Sequence, residues 1–129
     1  MRYLMSDKLD KMFELRESFM IMLKESNPEG ASPDWPIDLL DKGSQQHVRD
    51  MALRGVEEMF EALQHLKNWK PHRMTEVRKF NTDLFLEEVV DAFNYFLSVL
   101  VLTGFSAEDL YEAYESKDKT IRDRINSGY

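Results

Sequence analysis

The chain has 129 residues, enough for one domain with its own core, and its 32% charged and 43% hydrophobic residues mark a folded protein rather than a disordered one. A net charge of −7 argues against a phosphate-backbone binder, whose affinity comes from Lys and Arg, so no nucleic-acid partner is expected. The absence of cysteine excludes disulfides, thiolate chemistry and Zn–Cys sites.

The start, MRYLMSDKLDKMF, meets charge too soon for a signal-peptide apolar region, so a cytoplasmic location is expected. The dominant period along the chain is helical, with no run of strand alternation. A first helix is predicted over residues 7–25, its apolar face formed by Leu9, Met12, Phe13, Leu15, Phe19, Met20 and Leu23. Three prolines and two glycines then break the pattern, so residues 26–44 read as a long loop. A second helix begins near Ser44, runs through Trp69 and ends before Pro71, since the residue before proline resists helix.

PHRMTEVRK is a polar connector, and a third helix enters at Asn81 or Thr82 and stops at Gly104. It carries LFLEEVVDAFNYFLSVLVL, apolar on almost every side yet interrupted by acids, which disqualifies it as a membrane span. No membrane partner is expected. SAED at Ser106 to Asp109 is a capping-box signature that opens a fourth helix, and NSGY reads as a loop tail. The predicted fold is all-α: a single domain, 1–129, built as a bundle of four main helices with a long Pro-rich loop after the first.

On the third helix, Glu87, Glu88, Asp91, Asn94 and Ser98 fall three and four apart and line one stripe. A helix apolar nearly all round is expected inside its bundle, where uncompensated carboxylates are costly and demand cations or hydrogen-bond partners. The second helix offers a matching set, Glu58 and Glu61, with Glu57 beside them. Four carboxylates facing across a bundle, oxygen donors only, suit a hard divalent ion, Mg²⁺ or Mn²⁺ rather than zinc. Acid pairs three apart also occur at Asp7/Asp10, Glu14/Glu17, Asp38/Asp41, Asp109/Glu112 and Glu112/Glu115, and those read as solvated helix faces. A di-iron carboxylate bundle needs Glu-x-x-His on two helices; none of His47, His65 and His72 stands three residues after a glutamate. The glycines stand alone, so no phosphate loop is present.

The order E-E-x-x-E (Glu57, Glu58, Glu61) and then E-x-x-D (Glu88, Asp91) resembles the all-α nucleotide pyrophosphohydrolases, which include MazG and the dimeric dUTPases. Within them the chain looks most like the phage dCTP/dUTP pyrophosphatases, through LKNWK, EEVVDAFNYFL, TGFSAEDLYEAYESKDK and RINSGY in that order. The resemblance covers residues 54–129 well and 12–23 weakly. It implies a MazG/dUTPase-like fold and hydrolysis of a deoxynucleoside triphosphate to the monophosphate and pyrophosphate, with dUTP or dCTP favoured. It also implies that Glu58, Glu61, Glu88 and Asp91 hold Mg²⁺, with Mn²⁺ as a substitute, and that Glu58 orients or deprotonates the attacking water. Glu57 is the alternative ligand if the register shifts by one.

By the same resemblance Lys117, Arg124 and Lys70 would contact phosphates, while Trp69 would pack against a base or else the core. Ile121 replaces the family's Asn, and Asn94 stands where related dUTPases place a histidine. Arg16 occupies the place of the base-reading Gln; it offers only donors, which suit guanine O6 and N7 and keep a purine or noncanonical dNTP open. Otherwise Arg16 is a surface arginine beside Glu17. The resemblance implies a homodimer or higher homo-oligomer, consistent with the apolar excess at Phe93, Phe96, Val99, Leu100 and Leu102, and a phage enzyme would act in the host cytoplasm. The rival from another class is a catalytically silent helical interaction module.

Overall fold

A computed structural model describes residues 7–128. The first six residues of the start MRYLMSDKLDKMF and the tail residue Tyr129 lie outside the described residues. The described chain is all-helical, with no strand among the described residues and four α-helices. They are α1 (Lys8–Ser26), α2 (Lys42–Leu63), α3 (Thr82–Leu102) and α4 (Ala107–Asn126), with a single 3₁₀ turn at Pro28–Gly30. Among the described residues no single helix is long and apolar enough to cross a membrane.

Each helix starts where a short polar side chain can answer the orphan N–H groups of the first turn. Asp7 accepts from the Asp10 N–H at 2.8 Å to open α1, and Asp41 accepts from the Ser44 N–H at 2.9 Å. That Asp41 cap starts α2 at Lys42, two residues before the sequence-based boundary at Ser44. Asn81 accepts from the Leu84 N–H at 3.0 Å at the start of α3. Ser106 and Asp109 form the full reciprocal capping box of α4, at 3.1 and 2.9 Å. Gly104 ends the α3 region with φ 85°, a left-handed conformation that suits glycine. Asn126 belongs to α4 rather than to the loop tail.

The expected end of the second helix needs correction. α2 stops at Leu63, and LKNWK lies beyond it rather than closing it. The bonding tightens after Leu63 from four-residue to three-residue spacing, with His65 N donating to Ala62 O at 3.1 Å and Leu66 N to Leu63 O at 3.0 Å. Asn68 Oδ1 then accepts from the Thr75 N–H at 2.9 Å, which commits its side chain to a loop instead of a helical turn. Pro71 was the sequence signal for the stop, but the Asn68 loop ends the helix earlier.

The chain divides into two compact units: a terminal unit, Met1–Ile37 with Leu100–Tyr129, and a central unit, Asp38–Val99. In the terminal unit the apolar residues on one side of α1, Phe13 and Met20, are buried, as are Val101, Leu102 and Ala107. The loop after α1 is fastened by side chains. Trp35 Nε1 donates to Glu17 Oε2 at 2.8 Å, Lys24 forms an ion pair with Asp34, and Ile37 N donates to Leu102 O at 2.9 Å.

In the central unit α2 and α3 approach closely at Gly55. A Cβ built there would lie 2.6 Å from Phe96 Cε1, so only a glycine admits the ring without a shift. Ala62, Ala92, Leu97 and Ser98 are the other buried positions of this unit.

The buried set is small. Of the buried apolar residues, Ala62, Ala92 and Ala107 are alanines, so the described core rests on few large side chains. Two expectations change accordingly. Leu15 is 73% exposed and Met12 and Phe19 are exposed, because the buried stripe of α1 runs through Leu9, Phe13, Arg16, Met20 and Leu23 instead. α3 is not covered on all sides: Leu84, Leu86, Val90 and Phe93 are exposed, whereas Leu102 is fully buried.

Candidate active site

All six acids of the two sequence motifs fall in the central unit. Glu57, Glu58 and Glu61 occupy the last two turns of α2, and Glu87, Glu88 and Asp91 the first half of α3. Glu58 and Glu88 are half-buried, while Glu57, Glu61, Glu87 and Asp91 are exposed. The stripe is therefore a partly covered flank and not the sealed seam that a fully buried α3 would have made. Further along it, Asn94 is half-buried and Ser98 fully buried.

The charges of the other three acids act on Glu58. Glu58 is held above the ordinary glutamate value, first by its own desolvation and then by the charge of Glu61 and that of Asp91. A hydrogen bond with Glu61 and the charge of Glu88 push in the same direction. Each neighbour favours the protonated form because a second negative charge nearby disfavours ionisation. Glu58 thus binds a proton more readily than an ordinary glutamate.

Closeness in charge is not a finished coordination sphere. Among the described residues, no three Asp, Glu or His side chains converge tightly enough to hold a metal ion. The donor chemistry does fit one: four carboxylates that repel each other, with oxygen donors only, match the preference of Mg²⁺ or Mn²⁺. The long glutamate side chains at the exposed positions leave room for convergence by rotamer change.

One residue missed from the sequence joins the group. His65 Nε2 lies 2.6 Å from Glu88 Oε2, and the pair is only about one-fifth exposed on each side. The search for Glu-x-x-His passed over His65 because it follows Glu61 by four residues and comes after the helix has ended. Only the premature stop of α2 brings it to α3.

The residues implied to bind substrate distribute between the units. Trp69, Lys70 and Asn94 belong to the central unit; Arg16, Lys117 and Arg124 belong to the terminal unit. Trp69 is 66% exposed, which rules out the core alternative, and Lys70 Nζ sits 5.8 Å from the centre of its ring. Lys117 and Arg124 are exposed on α4 and make no ion pair among the described residues, whereas nearby Arg122 is held by Asp118 at 2.7 Å. Arg16 is half-buried, with its guanidinium 4.8 Å over the Phe19 ring. Glu17 pairs with Trp35 instead.

Trp35 itself was absent from the sequence-derived set. It lines a cleft of about 320 Å³ with Phe13, Glu17, Val101 and Phe105 in the terminal unit. The chain matches no family model, no curated protein and no solved structure.

Proposed function

We propose that the protein is a Mg²⁺-dependent deoxynucleoside triphosphate pyrophosphohydrolase that releases the monophosphate and pyrophosphate, with dUTP or dCTP as the favoured substrate. The observation that carries this reading is the raised pKa of Glu58 under burial and the charges of Glu61, Asp91 and Glu88. The two acid motifs, separated in sequence, behave as one electrostatic group. A cluster of that kind is relieved by a cation, and perturbed carboxylates of this sort concentrate at functional sites.

Glu58, Glu61, Glu88 and Asp91 would hold the ion, which would supply charge neutralisation to the phosphates and acidity to a water. Glu58, whose raised pKa makes its ionised carboxylate a stronger base than an ordinary glutamate, would accept the proton of the attacking water. Lys70 offers an ammonium beside the exposed Trp69 ring, and Asn94 continues the acidic stripe with neutral polar atoms. Lys117 and Arg124, which the resemblance implies as phosphate contacts, are exposed cations of the terminal unit.

The active protein is a homodimer in this reading, formed through the central unit. Leu53, Val56, Phe60 and Leu63 on α2 are all exposed, at the alternating three- and four-residue spacing of a helix-packing seam. Leu86, Val90 and Phe93 repeat the pattern on α3. The seam occupies roughly an 80° sector on α2 and roughly a 60° sector on α3, beside the sector that holds the carboxylates. At about half exposure these seven residues offer roughly 600 Å² of apolar surface. That is large for a monomer and close to the ~800 Å² per partner of a standard interface. A second copy presenting the same seam would complete a four-helix core with the acids left accessible.

Pyrophosphate release from dUTP, dCTP, dTTP, dATP and dGTP with Mg²⁺, alongside Glu88→Ala, tests the reaction and names the base. Release that vanishes in the variant supports the reading, and a purine substrate would assign Arg16 the base-reading role. Silence with all five would favour the rival that the exposed seams also suit, a helical interaction module without catalysis.

A further inference from the structure

The turn after α2 delivers an imidazole to α3. His65 Nε2 approaches Glu88 Oε2 to 2.6 Å, and because a carboxylate only accepts, Nε2 is the donor. The ring is braced on its other side. Phe85, one turn before Glu88, meets it edge-on at 6.4 Å between centroids, and Phe80 packs against Phe85 at 5.3 Å. Glu88 is thus tied through one oxygen, and Oε1 is left for another partner.

Glu88 shares its flank with another acid: its charge acts on Glu58. A glutamate beside a like charge and without a tether is free to swing toward solvent. An N–H donor packed against Phe85, itself backed by Phe80, opposes that freedom. Ligating carboxylates and histidines are commonly oriented by outer hydrogen bonds of this kind.

We propose that His65 is a positioning residue for Glu88: it holds Oε2 so that Oε1 stays directed at the cation. This rests on the reading of the four acids as a cation site. The sequence motifs assign His65 nothing, and its role depends on the unwinding of the chain beyond Leu63.

The test is thermal melting of the full chain across a Mg²⁺ titration, for wild type, His65→Ala, His65→Gln and His65→Asn. The Mg²⁺ concentration giving half the full shift should rise roughly tenfold or more in His65→Ala, the usual cost of losing an outer hydrogen bond to a ligand. Glutamine places an amide nitrogen about as far out as Nε2 and should restore most of the response. Asparagine is too short and should follow alanine. If His65→Ala fails to fold, the glutamine–asparagine comparison decides the matter.

Equal half-points in all variants, with only the metal-free melting temperature changed, would reduce the pair to a structural tie and overturn the proposal. Glutamine as weak as asparagine would also overturn it, since the imidazole would then be doing something an amide donor cannot. A wild-type melt that ignores Mg²⁺ would remove the cation site itself, and this role with it.

Discussion

The two units differ in where charge is crowded. In the terminal unit Asp7 and Ser106 cap their helices, Asp109 returns the bond of its capping box, Trp35 reaches Glu17, and Lys24 pairs with Asp34. In the central unit Glu58 is half-buried under the charges of three other acids, and the apolar seams of α2 and α3 face solvent. A fold that selects for stability alone would remove such repulsion, since buried or crowded like charges oppose folding. On the proposed reading, a bound cation would relieve the crowding around Glu58 and a second copy would cover the exposed seams.

The largest effect is expected at the outward seam. Phe60→Lys, at a position 59% exposed in the single chain, should convert the dimer to a monomer in sedimentation, because a charge in a packed apolar seam is strongly disfavoured. A wild type that sediments as a monomer, or a variant that still dimerises, would break the contrast at that point. Gly55→Ala should come next. A methyl group directed at the Phe96 ring forces repacking at a cost of about 1–3 kcal/mol, enough to outweigh the helix-propensity gain of about 1 kcal/mol. A higher melting temperature would show that the two helices pack less closely than the structure has them.

Substitutions in the terminal unit should be milder and metal-independent. Ser106→Ala should cost about 1 kcal/mol in denaturant unfolding, the usual cost of losing an N-cap. The backbone and hydroxyl of Ser106 hold Asp109 below the ordinary aspartate range. That contribution is present above the ordinary value and is lost as pH falls through the lowered one, so the variant, which keeps the backbone bond but not the hydroxyl, should lose less stability between neutral and acid pH than the wild type does. A profile unchanged in shape would contradict the capping box as its source.

The opposite sign holds at Glu58. Its folded-state pKa lies above the unfolded one, so between the two values the folded chain binds the extra proton. Stability should decline as pH rises from the ordinary glutamate value through the raised one, and stay lower above it. Glu58→Gln should flatten that decline and stabilise the metal-free chain at neutral pH while abolishing pyrophosphate release. Destabilisation instead would mean that Glu58 is supported rather than crowded by its neighbours.

How much of this was legible in the sequence depended on the range of each interaction. The boundaries of α1, α3 and α4 followed from local signals, Asp7, Asn81, Gly104 and the Ser106–Asp109 box, and the structure keeps them within a residue or two. The end of α2 did not. Its stop depends on Asn68 bonding Thr75, a contact seven residues long that no helix rule anticipates. The acids were found by spacing because both motifs lie on regular helix. His65 was missed because its partner Glu88 is 23 positions away and its own backbone is not helical. Burial was misjudged for α3, since composition states how apolar a helix is and not whether its own chain covers it.

The most direct test of the central claim, that these four carboxylates form a cation site, is Mn²⁺ binding followed by the loss of the free-ion paramagnetic resonance signal. The wild-type chain should quench that signal in a saturable way, Mg²⁺ should restore it by competition, and Glu61→Gln with Glu88→Gln should abolish the quenching. A free-ion signal untouched by the wild-type protein, or quenched equally by the double variant, would contradict the account.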